Sequence, residues 1–342
     1  MARKGFSENY IPPGREVERK VPYRDNPHPS RQIAIDYECL ENMEPENIES
    51  CHLSGPQVYT DGSKIEGKVG AALTWWDEGK EQRYSTFRLE SHNTVFQSEL
   101  YALYRAVRMV SEGEKESVNI LSDSRSSLDL LRSPAITHPL AAGIMEYLRD
   151  IQTQGKRVRL FWLRAHVGTP GNERADELAK NAALKKKTLP DYSRVPISFV
   201  KGRIREESIV KWQARYDASS TGSVTKLFLP CVRAARKILF DGGFTPTHVQ
   251  ILTGHGGFAS YLNRFKLKDY SSCACDPNLE ETVWHLLCDC PRFGRDRMEL
   301  EIEIQQKMEK PALWEILGGK KSRKPFLAFA TKVALAAAIR NK

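Results

Sequence analysis

The sequence predicts an α/β domain followed by a basic, mainly helical region, and three observations carry that expectation. Strand-like and amphipathic helical runs alternate between residues 57 and 184 in the order βββαβααβα, the pattern of a five-stranded mixed sheet flanked by helices. Charge changes sign along the chain: residues 1–184 carry 24 Lys and Arg against 27 Asp and Glu, whereas residues 185–342 carry 28 against 16. Four of the seven cysteines crowd into residues 273–290. That density fits a metal site in a reducing compartment better than a disulfide framework.

Taken in order, residues 1–53 hold Pro12, Pro13, Pro22, Pro27 and Pro29 and no sustained apolar period, so they read as a disordered linker or tail. From Gln57 the pattern sharpens. QVYTDGSK, VGAALTWWD and EQRYSTFRLE read as three strands, and TVFQSELYALYRAVRMV as an amphipathic helix. SVNILSD is a strand, SRSSLDLLRS and LAAGIMEYLRDIQ are helices, RVRLFWLRA is a buried strand, and GNERADELAKNAAL is a helix entered through a Pro-Gly-Asn turn. These elements make a first domain at 54–188. Lys185, Lys186 and Lys187 with Pro190 and Pro196 read as a linker into a second region, 189–342, helical over 197–240 and 296–340. No window approaches the roughly 18 apolar residues of a membrane span, and the first twenty residues lack the apolar core of a secretory signal. The expectation is an intracellular protein, nuclear or cytoplasmic, with no membrane partner. Basic runs at 185–187 and 318–324 read equally as nuclear signals or as solvated faces.

Four acids stand where strands end or helices begin: Asp61 in YTDGS, Glu99 in FQSELYAL, Asp123 in ILSDS and Asp176 in GNERADEL. Each alone is an ordinary surface acid, and Asp61 alone is a turn residue. Their joint recurrence along one βββαβ…βα pattern says more. The two strand acids follow apolar runs, so their backbones lie near the core, where a carboxylate is costly unless paired or bound to a metal. Hydrolysing a phosphodiester needs an activated water and charge neutralisation on the leaving oxygen, which two divalent cations about 4 Å apart supply. A donor set of carboxylates without inner His or Cys suits Mg²⁺ (or Mn²⁺) rather than Zn²⁺.

Together TDGS, the Ser-Glu-Leu helix, SDS, and WLRAH followed by GNERADELA resemble the type 1 RNase H family over residues 57–184. The resemblance implies an RNase H-like fold and cleavage of the RNA strand of RNA–DNA hybrids. It also implies two bound Mg²⁺ or Mn²⁺ ions with Asp61, Glu99, Asp123 and Asp176 as their ligands. His166 matches the family's mobile-loop histidine, which implies an assisting role in proton transfer or product release; Gly168 and Gly171 would let it move. Glu173 reads as a supporting or helix-start carboxylate. There are departures. Val95-Phe96-Gln97 replaces the asparagine pair that contacts substrate in many cellular members, leaving Thr94, Gln97 and Ser124 as candidate substrate contacts. Between Asp123 and Trp162 there is no room for a basic protrusion, so grip on hybrid passes to the basic C-terminal region as the obvious candidate.

Cys273-x-Cys275-x₉-His285-x₄-Cys290 has the donors and spacing of a closed tetrahedral Zn²⁺ site with a structural role. Cys288 is an alternative ligand to Cys290, which is preferred because Pro291 supplies an exit turn. The Glu-Thr-x-x-His-Leu and Cys-Pro-x-Phe contexts, with ILTGHGGFASYLNRFKL upstream, resemble the C-terminal end of non-LTR retrotransposon (R1/Jockey-like) reverse transcriptase polyproteins. This resemblance implies a zinc knuckle that binds single-stranded nucleic acid, with Arg264, Phe265, Lys266, Lys268 and Tyr270 nearby, and a reverse transcriptase as partner. No Tyr-x-Asp-Asp-like polymerase site occurs in the chain, which reads as a separate tail of such a polyprotein. His255, between two glycines, reads as a turn residue. Two functions are carried forward: a hybrid-specific endoribonuclease, and a catalytically silent nucleic-acid-binding protein that uses the knuckle and basic region.

Overall fold

The computed structural model describes residues 10–28, 33–40, 53, 55–185, 187–241 and 243–342, and the chain divides into two compact units after Ile204. The first unit is built on a mixed sheet of β1 (Tyr37–Cys39), β2 (Gln57–Ile65), β3 (Lys68–Asp77), β4 (Lys80–Leu89), β5 (Ser117–Ser122) and β6 (Arg157–Trp162), in the order β1-β6-β5-β2-β3-β4. Strands β2, β5, β6 and β1 run parallel, while β3 and β4 are added antiparallel. The composition follows position. Central β3 is buried along most of its length, whereas edge strand β4 exposes Lys80, Gln82 and Arg83, which blunts pairing with another chain.

Helices cover both faces. On one, α1 (Val95–Glu112) buries Leu100, Leu103, Ala106, Val107 and Val110 at helical spacing against the sheet, with α2 (Arg125–Arg132) and α3 (Pro139–Thr153) beside it. On the other, α4 (Pro170–Lys185) packs on β2 and β3 through Ala175, Leu178, Ala179 and Ala182. The approach is close enough that a Cβ on Gly70 of β3 would lie 2.3 Å from the Ala179 carbonyl oxygen. Glycine there is a steric requirement.

Three expectations need correction. The sheet has six strands, not five. The sixth, β1, pairs with β6 because Tyr37 is buried and its hydroxyl donates to Asp129 Oδ1 at 2.6 Å. Part of the expected N-terminal linker is therefore ordered; its residues 1–9, 29–32 and 41–52 lie outside the described residues. The expected linker after Leu184 also belongs to the first unit, so the boundary falls after Ile204 rather than at 188/189. Tyr192 rests against Tyr101 with ring centroids 5.4 Å apart, and Val195 is fully buried and exchanges backbone hydrogen bonds with Glu16 and Glu18. Packing of those two side chains, Val195 buried and Tyr192 half-buried, fixes a Pro-punctuated stretch. Buried Glu18 closes the arrangement with partners Tyr192, His138 and Gln97. Burial pushes the Glu18 pKa up, but the His138 imidazole and the hydrogen bonds from Tyr192 and Gln97 outweigh it and hold the carboxyl below its ordinary value.

The second unit is helical, as expected. After α5 (Ile197–Ala218), which crosses the division, come α6 (Ser223–Phe228), α7 (Val232–Phe240), α8 (Pro246–Thr253), α9 (Ala259–Arg264), α10 (Gly294–Ile304), α11 (Leu313–Gly318) and α12 (Arg323–Arg340). Phe228, Ile251, Phe258, Leu286, Leu313, Ile316, Phe326 and Val333 share a core with Cys273 and Cys290. Among the described residues no helix is long and apolar enough to cross a membrane.

A candidate carboxylate centre and a cysteine–histidine cluster

Asp61 is carried on β2 and Asp123 follows the last residue of β5, the strand beside it, so parallel pairing alone brings the two together. Glu99 comes from the second turn of α1. A Cβ on Gly62 would sit 2.3 Å from the Glu99 amide nitrogen, so only glycine after Asp61 lets β2 press against this helix. Carboxylate oxygens of Asp61, Glu99 and Asp123 all lie within 4.8 Å of one another. Asp61 and Glu99 are buried, and Asp61 Oδ2 and Glu99 Oε2 are enclosed without a hydrogen-bond partner.

The electrostatics follow. Burial, then the negative charges of Asp123 and Asp176, push the Asp61 pKa to about 7. Glu99 is held well above its ordinary value by burial and by the charges of Asp61 and Asp123. Asp123 is raised by burial, with the Asn172 hydrogen bond opposing the shift. Converging carboxylates with two unpartnered buried oxygens are a poor arrangement unless a cation is placed among them. The donor set fits a hard divalent ion.

Asp176 stands on α4 at the border of this group. Its carboxylate lies within 4.8 Å of Glu173 and His166, and it is close enough to Asp61 and Asp123 to raise both. Lys180, one turn on, binds Asp176 Oδ2 through Nζ. His166 is exposed on the β6–α4 turn in a left-handed conformation, φ 56°, two residues before left-handed Gly168. Of the candidate substrate contacts, Thr94 is exposed as the N-cap of α1, and Ser124 is half-buried at the start of α2 with its hydroxyl beside that of Ser127. Gln97 is turned away from solvent. It is buried, completes the capping box with Thr94 and donates to Glu18, because the third helix position points back at the cap.

Sequence reasoning missed three supports of this centre. Asn172 donates to Asp123 Oδ2 at 3.3 Å, Trp162 donates from Nε1 to the Asp123 carbonyl at 2.9 Å, and Lys180 braces Asp176. Lys180 was findable, since i,i+4 spacing puts it on the face of Asp176. Asn172 and Trp162 sit inside the GNERADELA and WLRAH motifs, yet nothing local reveals that they aim at Asp123.

In the second unit Cys273, Cys275, His285 and Cys290 bring one donor atom each within 4.8 Å of the others. Cys273 and Cys290 sulfurs are 3.8 Å apart, and Cys275 Sγ lies 3.1 Å from His285 Nε2. Backbone bonds shape the loop: Cys273 N–H donates to Leu279 O and Cys290 N–H to His285 O, each at 2.7 Å. Three sulfurs and an imidazole suit Zn²⁺. Cys288 is outside the group; burial, then the Asp289 charge, push its thiol to about 12.

Residues 55–184 match the family model for RNase H. The chain is 35% identical over 138 residues to a 115 kDa protein in type-1 retrotransposable element R1DM of Drosophila melanogaster, covering 40% of this chain and 13% of that protein. It is 34% identical over 112 residues to a retrovirus-related Pol polyprotein from type-1 retrotransposable element R1 4 of Nasonia vitripennis, covering 32% of this chain and 28% of the relative. A Pol polyprotein of caprine arthritis encephalitis virus is 31% identical over 138 residues, 39% of this chain and 11% of that protein. The matched stretches thus span well under a third of these relatives.

Proposed function

Starting from a chain that carries an RNase H domain at residues 55–184 and is homologous to R1 retrotransposon Pol polyproteins, we propose an endoribonuclease that cuts the RNA strand of RNA–DNA hybrids. One observation carries this reading: Asp61, Glu99 and Asp123 converge with two buried, unpartnered oxygens. Asp61, Glu99, Asp123 and Asp176 would hold two Mg²⁺ or Mn²⁺ ions. When bound, such ions supply an activated water and neutralise charge on the departing 3′ oxygen.

The chain's own residues do the rest. Asn172 and Trp162 fix Asp123 in place, and Lys180 holds Asp176 at the rim. His166, on its exposed turn, moves a proton or helps product leave. Exposed Thr94 and half-buried Ser124 meet backbone phosphates. Selectivity for hybrid rests on reading 2′-hydroxyls on one strand and a deoxy backbone on the other. Cys273, Cys275, His285 and Cys290 would hold a structural Zn²⁺ in a region that binds single-stranded nucleic acid, with a reverse transcriptase as partner.

The test is cleavage of labelled hybrid, single-stranded RNA and duplex DNA in Mg²⁺. The expected result is cutting of hybrid alone, abolished by Asp123→Asn and slowed about a hundredfold by His166→Ala. Equal losses would remove the separate role given to His166. Hybrid bound but uncut by the unmodified chain would favour the silent binding protein.

A further inference from the structure

The segment around α9, residues 255–270, carries chemistry that neither candidate metal centre uses. Its rings pack in series as tilted pairs: His255 on Tyr261 with centroids 5.0 Å apart and planes 36° apart, then Tyr261 on Phe265 at 4.9 Å and 49°. His255 is exposed, and Phe265 and Leu267 are 54% and 72% exposed. Cations ride beside the rings, Arg264 over Phe265 and Lys268 4.4 Å from the centroid of Tyr270. Within 255–270, Arg264, Lys266 and Lys268 stand against Asp269 alone.

This face is held rigidly. Lys266 takes a left-handed φ of 58°, ending α9 with Phe265 N–H donating to Tyr261 O and Leu267 N–H to Leu262 O. Asn263 Nδ2 then ties the Lys268 carbonyl at 3.0 Å. The start of α9 is fastened to the cysteine loop by fully buried Glu281: Oε1 accepts from Ala259 N–H, Oε2 pairs with Arg340, and the Glu281 carbonyl accepts from Ser260 Oγ. The backbone that carries the rings and cations is thus ordered before binding, which lowers the ordering cost.

We propose that the His255–Tyr261–Phe265 ladder, with Arg264, Lys266 and Lys268, is a stacking platform for unpaired bases of single-stranded nucleic acid. The cysteine–histidine cluster serves as the clip that holds it. This rests on the proposed binding of single strands by the second unit, and it assigns the contact to the ladder rather than to the cluster. A polyanion without bases would satisfy the cations and leave the rings bare. Every base offers a π face, so the platform would tolerate sequence.

The experiment is fluorescence anisotropy of the full chain with labelled oligo-dT, oligo-rU and an abasic oligodeoxynucleotide of equal length. Zinc content is measured on every variant to certify the fold. The His255→Ala/Phe265→Ala pair should weaken oligo-dT and oligo-rU at least tenfold while leaving the abasic strand unchanged, and Phe265→Trp should restore most of the loss. Lys266→Gln/Lys268→Gln should flatten the salt dependence, by roughly 0.7 of a log unit of affinity per log unit of salt for each phosphate contact removed. Unchanged affinity in the zinc-loaded alanine pair would overturn the ladder while single-strand binding by the unit stands. Equal affinity of the unmodified chain for abasic and base-bearing strands would overturn it as well. No binding of any single strand by the unmodified chain would overturn both the ladder and the reading it rests on.

Discussion

The two candidate metal centres are assembled in opposite ways. Asp61, Glu99, Asp123 and Asp176 come from two strands and two helices, spread over more than a hundred residues, and the sheet under them has a large apolar core of its own. Cys273, Cys275, His285 and Cys290 come from one short loop, and Cys273 and Cys290 are themselves part of the core they border. In the first unit the fold makes the site. In the second the site helps make the fold. Charge sharpens the contrast, because converging carboxylates repel without a cation, whereas thiols and a neutral imidazole tolerate its absence better and gain most from an ion by losing protons.

The largest effect expected from this contrast comes from removing zinc. Structural zinc in small modules contributes about 10–16 kcal/mol of apparent binding free energy at neutral pH. A strong zinc chelator should therefore strip hydrogen-exchange protection from the loop around 273–290 and from α9, while amides of β2 and β5 stay protected. Equal protection before and after chelation would show that the helical core alone holds the loop.

The carboxylate centre should respond with the opposite sign. With the folded pKa of Asp61 at about 7 and an unfolded value near 4, the folded state binds more protons between these limits. The contribution of Asp61 to the stability of the metal-free protein is therefore most favourable below pH 4, falls as pH rises, and levels off above 7. Asp61→Asn removes that loss. At pH 8 in chelator it should stabilise the first unit by about 1–3 kcal/mol, and the gain should vanish near pH 4. It should also abolish hybrid cleavage, so the substitution that kills the site improves the fold. Thermal melts at both pH values decide it; destabilisation at pH 8 would mean that the cluster is not under charge strain.

What was legible in the sequence follows the same division. Strand ends and helix starts carry local signals, and the resemblance of their motifs to those of RNase H marked Asp61, Glu99, Asp123 and Asp176 as one set. The cysteine spacing was plainer still, since all four donors lie within a single loop. Illegible were contacts made by residues whose local context points elsewhere. Strand β1 is three residues long and too short to show a period. Tyr192 and Val195 sit in a stretch punctuated by proline, and only their packing against Tyr101 and the segment around Val17 shows that it belongs to the domain. Gln97 lies two residues from Glu99, yet its helix position turns it into a cap. Glu18 lies in a charged segment with the composition of a tail and is buried because His138, Tyr192 and Gln97 meet it.

The smallest effect concerns Cys288, which separates donor chemistry from mere proximity. It stands two residues from Cys290 and three from His285 in one π-helical turn, yet it belongs to neither the donor group nor the fully buried core. Burial raises the thiols of Cys288 and Cys290 alike, so position rather than protonation separates them. Cys288→Ser should therefore leave zinc stoichiometry at one per chain and shift stability by less than about 1 kcal/mol. Cys290→Ser should lose the ion, because it removes a sulfur that sits 3.8 Å from Cys273 and is buried with it. Zinc content measured on the two purified variants settles the choice. The reverse pattern would move the fourth donor to Cys288 and require the turn at His285–Asp289 to rewind when the ion binds.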